Sequence, residues 1–236
     1  MSLYYPIFLT LIFIGELFLL FYLSKGLHKA LANLFLGITR SYSSTVNLMA
    51  ILFLPGTIIH ELAHLLVAGV LMVPVGEIDL VPEINRDSTK LGSVEIGQTD
   101  PFRRILIGVA PVLIGVGLIA ATLSLLPISA SSPPWQIALS GYIVFELANT
   151  MFSSKKDLEG ALAFLITLGF MTALLSLGLY LAGMLPSLSL IDILPHILPS
   201  GFIFMMITML LAPIVLDILF ILLLKVFKGG SYARMR

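Results

Sequence analysis

The 236-residue chain contains no cysteine. That excludes disulfides and thiolate ligands, so a transition-metal site would have to be built from His, Asp, Glu or Asn. Charge is scarce as well: charged residues make up 11% of the chain, and 13 basic residues cancel 13 acidic ones. A neutral chain has no basic footprint of the kind that holds nucleic acid, and no nucleic-acid partner is expected.

What is present is apolar. Hydrophobic residues are 58% of the sequence, far from the composition of a soluble domain. They fall into long blocks, and about 20 apolar residues cross a bilayer core of ~30 Å as a helix. Counting blocks gives about six spans, at residues 4–23, 46–73, 105–126, 135–152, 158–185 and 201–227. The chain therefore reads as an all-α polytopic membrane protein, a single membrane domain over residues 1–236 whose surroundings are the lipid bilayer. Its expected place is the cell membrane, in multi-pass form. The first block exceeds the ~7–15 residues of a signal-peptide apolar region and lacks a basic leader, so a cleaved signal is not expected.

Residues 74–104 form the longest polar stretch, between the second and third blocks. Val75-Gly76-Glu77-Ile78-Asp79-Leu80 and Ser93-Val94-Glu95-Ile96 alternate polar and apolar residues around the turn-rich segment 82–89. That spacing predicts a small β-hairpin, either a solvated connector or an exposed edge able to pair with an extended peptide. Placing this loop, Lys155-Lys156 and the tail from Lys225 in the cytoplasm gathers most basic residues on one side, as the positive-inside rule favours. Both termini would then be cytoplasmic. Lys25, Lys29 and Arg40 fall outside, and an interfacial segment near Leu31 to Ile38 is an alternative for the end of the first span.

The second block carries Pro55-Gly56-Thr57-Ile58-Ile59-His60-Glu61-Leu62-Ala63-His64. Two histidines four apart on a helix share a face and can meet one Zn²⁺, with the intervening carboxylate beside the metal as general base: the HExxH pattern. A polar patch between helices is the bland reading. Two imidazoles and a carboxylate inside a membrane span cost several kcal/mol unless paired or metal-bound, which favours a functional one. The third ligand would be an acid from another segment, and Glu146, Asp157, Glu159 and Asp217 lie in or beside apolar blocks, with Glu16 in the first block further from the argument.

An HExxH helix, a strand-bearing polar loop, a further span, then Asn149 followed by Asp157 resembles the site-2 protease family of intramembrane zinc metalloproteases. The resemblance covers residues 46–175. It implies that Asp157 is the third ligand to one zinc per chain and that Asn149 assists at the substrate; in the topology above, the ends carrying His60, His64 and Asp157 face one side, which places the expected active site near the cytoplasmic side. This chain departs from the family pattern: residues 149–160 lack its prolines and read Lys156-Asp157-Leu158 where Leu-Asp-Gly is expected. Glu146 and Glu159 therefore stay open as alternative ligands, ranked after Asp157.

The expected function is peptide-bond hydrolysis in or near transmembrane segments of membrane-protein substrates, with Glu61 taking a proton from water and Asn149 donating to the oxyanion. The competing class is a metal-ion or proton transporter using the same intramembrane His, Glu and Asp, disfavoured because no second half duplicates the HExxH helix. Homo-oligomerisation stays open. Pro55-Gly56 reads equally as a kink and as a packing device. Gly108, Ala110-Pro111, Gly115 and Gly117 read as a close helix contact. His196 reads as interfacial, and Asp217 as a structural pair with another helix.

Overall fold

A computed structural model describes residues 5–79, 83–84, 89–90, 92–129, 131–152, 155–183 and 200–233. Seven helices are described: α1 (Tyr5–Thr39), α2 (Tyr42–Leu52), α3 (Leu54–Val70), α4 (Pro101–Leu125), α5 (Pro134–Thr150), α6 (Lys155–Leu181) and α7 (Ser200–Ala233). Between α3 and α4 lie the strands β1 (Val75–Asp79), β2 (Glu83–Ile84), β3 (Thr89–Lys90) and β4 (Ser93–Ile96). The chain is a mostly helical protein with the apolar helices of a membrane protein.

Among the described residues, 3 helices are long and apolar enough to cross a bilayer, or up to 4 if the bent pair α2–α3 is one span. The two readings of the sequence part at three places. The first apolar block continues without a break through Leu31 to Ile38 as the 35-residue α1. The second is bent by 68° between α2 and α3. The fourth gives α5, whose 17 residues rise only about 25 Å, less than the ~30 Å of the bilayer core.

The bend has a local cause. Pro55 lies in the first turn of α3 and has no N–H to give to the carbonyl one turn back, so the α2 ladder ends at Leu52 and a new helix starts. Restarting a helix leaves unbonded N–H groups at its first turn. The Gly56 N–H donates to Glu146 Oε2 at 3.1 Å, across to α5. Gly56 also allows the contact itself: a Cβ there would lie 2.5 Å from Thr150 Oγ1 and 2.9 Å from the Glu146 carbonyl oxygen.

Contacts along the helices fix their relative directions. Ser140 reaches the Leu126 carbonyl and Met151 packs on Gly115, so α4 and α5 are antiparallel. The Phe21 and Phe152 rings are 5.7 Å apart and Ser24 Oγ donates to the Asn149 carbonyl at 3.1 Å, so α1 also opposes α5. Leu9 clusters with Ile203 and Ile207, and Gly26 faces Ile221; α1 and α7 are parallel. The C-terminal ends of α1 and α7 thus point away from the hairpin end of the molecule.

This arrangement corrects the expected topology. Lys225, near the end of α7, does not share an end with the hairpin; it lies toward the end where α1 carries Lys29 and is followed by Arg40. Basic residues populate both ends, so their count does not choose a cytoplasmic side, and the termini of the described chain lie at opposite ends. A second consequence concerns depth. Met151 meets Gly115, close to the midpoint of α4, so α5 stops about half-way along the α4 span and α6 begins from there.

The expected hairpin is present. β1 and β4 pair antiparallel, Val75 with Ile96 and Asp79 with Ser93, with an irregularity between Val75 and Ile78. β2 and β3 continue it as a second short ladder. Asp100 caps α4: its carboxylate accepts the Arg103 N–H at 3.0 Å, and that hydrogen bond holds its pKa below the ordinary aspartate value.

Candidate metal and peptide site

His60, Glu61 and His64 are all buried, on one stretch of α3. The two imidazole rings stand edge to face with centroids 4.8 Å apart, as side chains one helical turn apart on one face can.

The His64 ring is held from α4. Its Nδ1 lies 2.9 Å from the Ile107 carbonyl oxygen, which can only accept, so Nδ1 carries the proton and donates. Why that carbonyl is open follows from the sequence. In a continuous helix Ile107 C=O would accept the N–H of residue 111, but residue 111 is proline, inside α4, and has no N–H. Pro111 therefore frees the acceptor that orients His64. The sequence reading had assigned Ala110-Pro111 only to helix packing; a proline inside an apolar helix was the signal available for this role.

The hairpin reaches the same place. Gly97 N–H bonds the Pro74 carbonyl at 2.8 Å, next to the C-terminal end of α3. Further along the hairpin, Gly92 sits against Thr57 and Glu61: a Cβ there would lie 2.8 Å from Thr57 Cγ2 and 3.4 Å from Glu61 Oε1. From Val70 back to Thr57 is about 20 Å of helix at 1.5 Å per residue. The ladder therefore folds back along α3 instead of projecting away from it. Among the described residues β1 and β4 pair only with each other, so each has an outer edge without a strand partner there. Irregular or open-edged backbone at this depth is tolerated only where it lines a cavity or meets a partner.

The other expected residues are distributed as follows. Asn149 is buried on α5, and its Nδ2 donates to the Phe145 carbonyl at 3.0 Å and to Asp217 Oδ1 at 2.8 Å. Asp217 on α7 is thus a helix-to-helix pair, as expected for it. Glu146 is engaged in capping α3 at Gly56. Asp157 and Glu159 fall in the first two turns of α6, with side chains outside the described residues, and His196 lies outside them altogether. Among the described residues no third His, Asp or Glu joins His60 and His64 as a metal-holding group.

The donor chemistry of His60 and His64 fits a divalent transition metal: two imidazoles one turn apart, one with its tautomer fixed by a carbonyl, beside a carboxylate that is one residue away. Comparison with known proteins adds no identity: no family model, no curated protein and no solved structure matches the chain.

Proposed function

We propose that the chain is an intramembrane zinc metalloprotease that cleaves peptide bonds in or near transmembrane segments of membrane-protein substrates. The observation that carries this reading is the meeting of an open-edged β-ladder with the Glu61 carboxylate on an HExxH helix buried among apolar helices. Each part serves hydrolysis of a membrane peptide, and a simple polar contact between helices would need neither the ladder nor the carbonyl-fixed imidazole.

His60 and His64 would hold the metal, with Asp157 as third ligand. The support for Asp157 is one of depth: α5 ends level with the middle of α4, so α6 starts its first turn inside the span. Glu146 is less suited, because its Oε2 already accepts from Gly56. Zn²⁺ bound there supplies Lewis acidity that makes water nucleophilic near neutral pH and polarises a carbonyl.

The chain's own groups do the rest. A helical substrate hides its carbonyls in intrahelical bonds and must be drawn out before attack. The free edge of the ladder offers N–H and C=O groups that bind an extended segment next to Glu61. Glu61 takes the proton from the attacking water and returns it to the departing amine. Asn149 has both amide hydrogens committed, to Phe145 and Asp217. To serve an oxyanion it must release one, which makes Asp217 its positioning residue.

The deciding experiment measures zinc per chain and cleavage of a transmembrane peptide in the same preparations. Wild type is expected to hold one zinc, lost in His60→Ala and Asp157→Ala. Glu61→Gln should keep the zinc and lose cleavage by about 10²–10⁴-fold, the range for a general base. Wild type purified without zinc and inert after zinc addition would sink the proposal. It would move metal-ion or proton transport forward, with the buried carboxylates Glu16, Glu146 and Asp217 as the groups to examine.

A further inference from the structure

A cavity of about 330 Å³ opens between α1, the bent α2–α3 pair and the C-terminal end of α5. That is within the size range of small-ligand sites. Its polar wall comes from one face of α1, where Ser24, Lys25, His28 and Lys29 follow the helical repeat, with Tyr42 and Thr45 from α2 opposite. Among the described residues no carboxylate lines it.

Among the described residues the basic groups are not paired with an anion of the protein's own. Lys25 Nζ lies 4.1 Å from the centroid of the Phe21 ring, and among the described residues neither Lys25 nor Lys29 forms an ion pair. His28 Nδ1 is turned to the Ser24 carbonyl at 2.9 Å and its ring stacks on Phe53 at 4.2 Å, on the same cavity wall as the two lysines. Two uncompensated cations in a membrane helix are costly unless they reach water or an anion. The rest of the wall is mixed: Ala32, Val46, Met49 and Phe152 are apolar, while Thr57, Asn149 and Thr150 add polar groups from α3 and the end of α5.

We infer that this cavity is a binding site for the phosphate of an anionic lipid headgroup. Lys25, Lys29 and the hydroxyls would take the phosphate, and the apolar residues of the wall would take the first carbons of the acyl chains. A free phosphate ion would use only the basic half. A basic pocket between transmembrane helices, near the end of a span, is the setting in which anionic headgroups are held. The cavity also reaches Thr57, one turn ahead of Glu61, so the occupant borders the helix that carries the HExxH motif. The inference does not depend on proteolysis.

The test uses the full chain purified in zwitterionic detergent, with thermal stability and lipid retention in native mass spectrometry as readouts. Three additions are compared at equal concentration: phosphatidylglycerol, phosphatidylcholine and inorganic phosphate. The proposal expects phosphatidylglycerol alone to raise the Tm and to be retained. Each lysine removed, in Lys25→Gln and in Lys29→Gln, should weaken retention about fivefold, the ~1 kcal/mol that one basic residue contributes beside an anionic surface. Lys225→Gln, exposed on α7 and outside the cavity, should leave retention unchanged. Equal retention of phosphatidylcholine, or phosphatidylglycerol retention unaffected by both lysine variants, would overturn the site. A Tm rise produced equally by inorganic phosphate would overturn the lipid assignment. Because the single variants alter partly exposed side chains, a folding failure in one leaves the other to decide.

Discussion

The α1–α7 pair and the α3 region are both apolar helix, yet they are built in opposite ways. α1 and α7 run parallel over long, unbroken lengths, 35 and 34 residues, and meet through Leu9, Ile203, Ile207, Leu27 and Ile221. The polar groups Ser24 and Asp217 of that half both reach α5, on either side of Asn149. α3 is short, follows a bend of 68°, and buries His60, Glu61 and His64 together. The lesson is a division of labour. Unbroken apolar contact supplies a frame, and the breaks in helical regularity, at Pro55, Gly56 and Pro111, free backbone groups that then do specific work.

The comparison can be broken most severely at Gly56. Gly56→Val would drive a side chain into Thr150 and the Glu146 carbonyl and displace the capping carboxylate. A loss of about 1–3 kcal/mol in stability is expected for such overpacking, with zinc lost as well; a Tm and zinc content equal to wild type would show that α3 and α5 do not depend on this contact.

Pro111→Ala sharpens the contrast with less damage. It restores an N–H that competes for the Ile107 carbonyl, so helix α4 is expected to stay intact while zinc affinity falls about 10-fold, the low end for loss of an outer-shell partner to a histidine ligand. The carbonyl has two lone pairs and keeps part of its bond to His64, hence the low end. Competition against a zinc chelator measures it, and an affinity equal to wild type would refute the role of Pro111.

The smallest effect is expected in the frame. Asp217→Ala removes one buried hydrogen bond to Asn149 and should cost about 1 kcal/mol while zinc content stays at wild-type level. Under the proteolytic reading it also lowers kcat and leaves KM, and Asp217→Asn restores part of the rate. A drop in zinc content in Asp217→Ala would erase the distinction between frame and site.

Much of this was legible in the sequence because two periodicities carry it. Long apolar blocks announce membrane helices, and strict alternation in 75–80 and 93–96 announced β1 and β4 to within a residue. The HExxH spacing placed His60 and His64 on one face before any coordinates did. The number of spans was not legible, since hydropathy cannot distinguish a block that crosses from one that bends at Pro55 or stops half-way, as α5 does. Helix direction was misread for a related reason: counting basic residues assumes that successive blocks alternate sides, and the parallel packing of α1 with α7 violates that assumption.

Sequence alone therefore determined the chemistry on offer: a cysteine-free, apolar chain with two imidazoles and a carboxylate at metal-binding spacing, because those features are local and need only helical repeat. Tertiary structure decided which groups are left to do that chemistry. Glu146 is committed to Gly56, Asn149 to Asp217, and His64 to a carbonyl freed by Pro111, all across distances in sequence that no spacing rule reaches. It also decided that the hairpin lies against Glu61 instead of apart from it, since the fold-back of a ladder along its neighbouring helix depends on a glycine at 92 meeting Thr57, a contact visible only once the chain is folded.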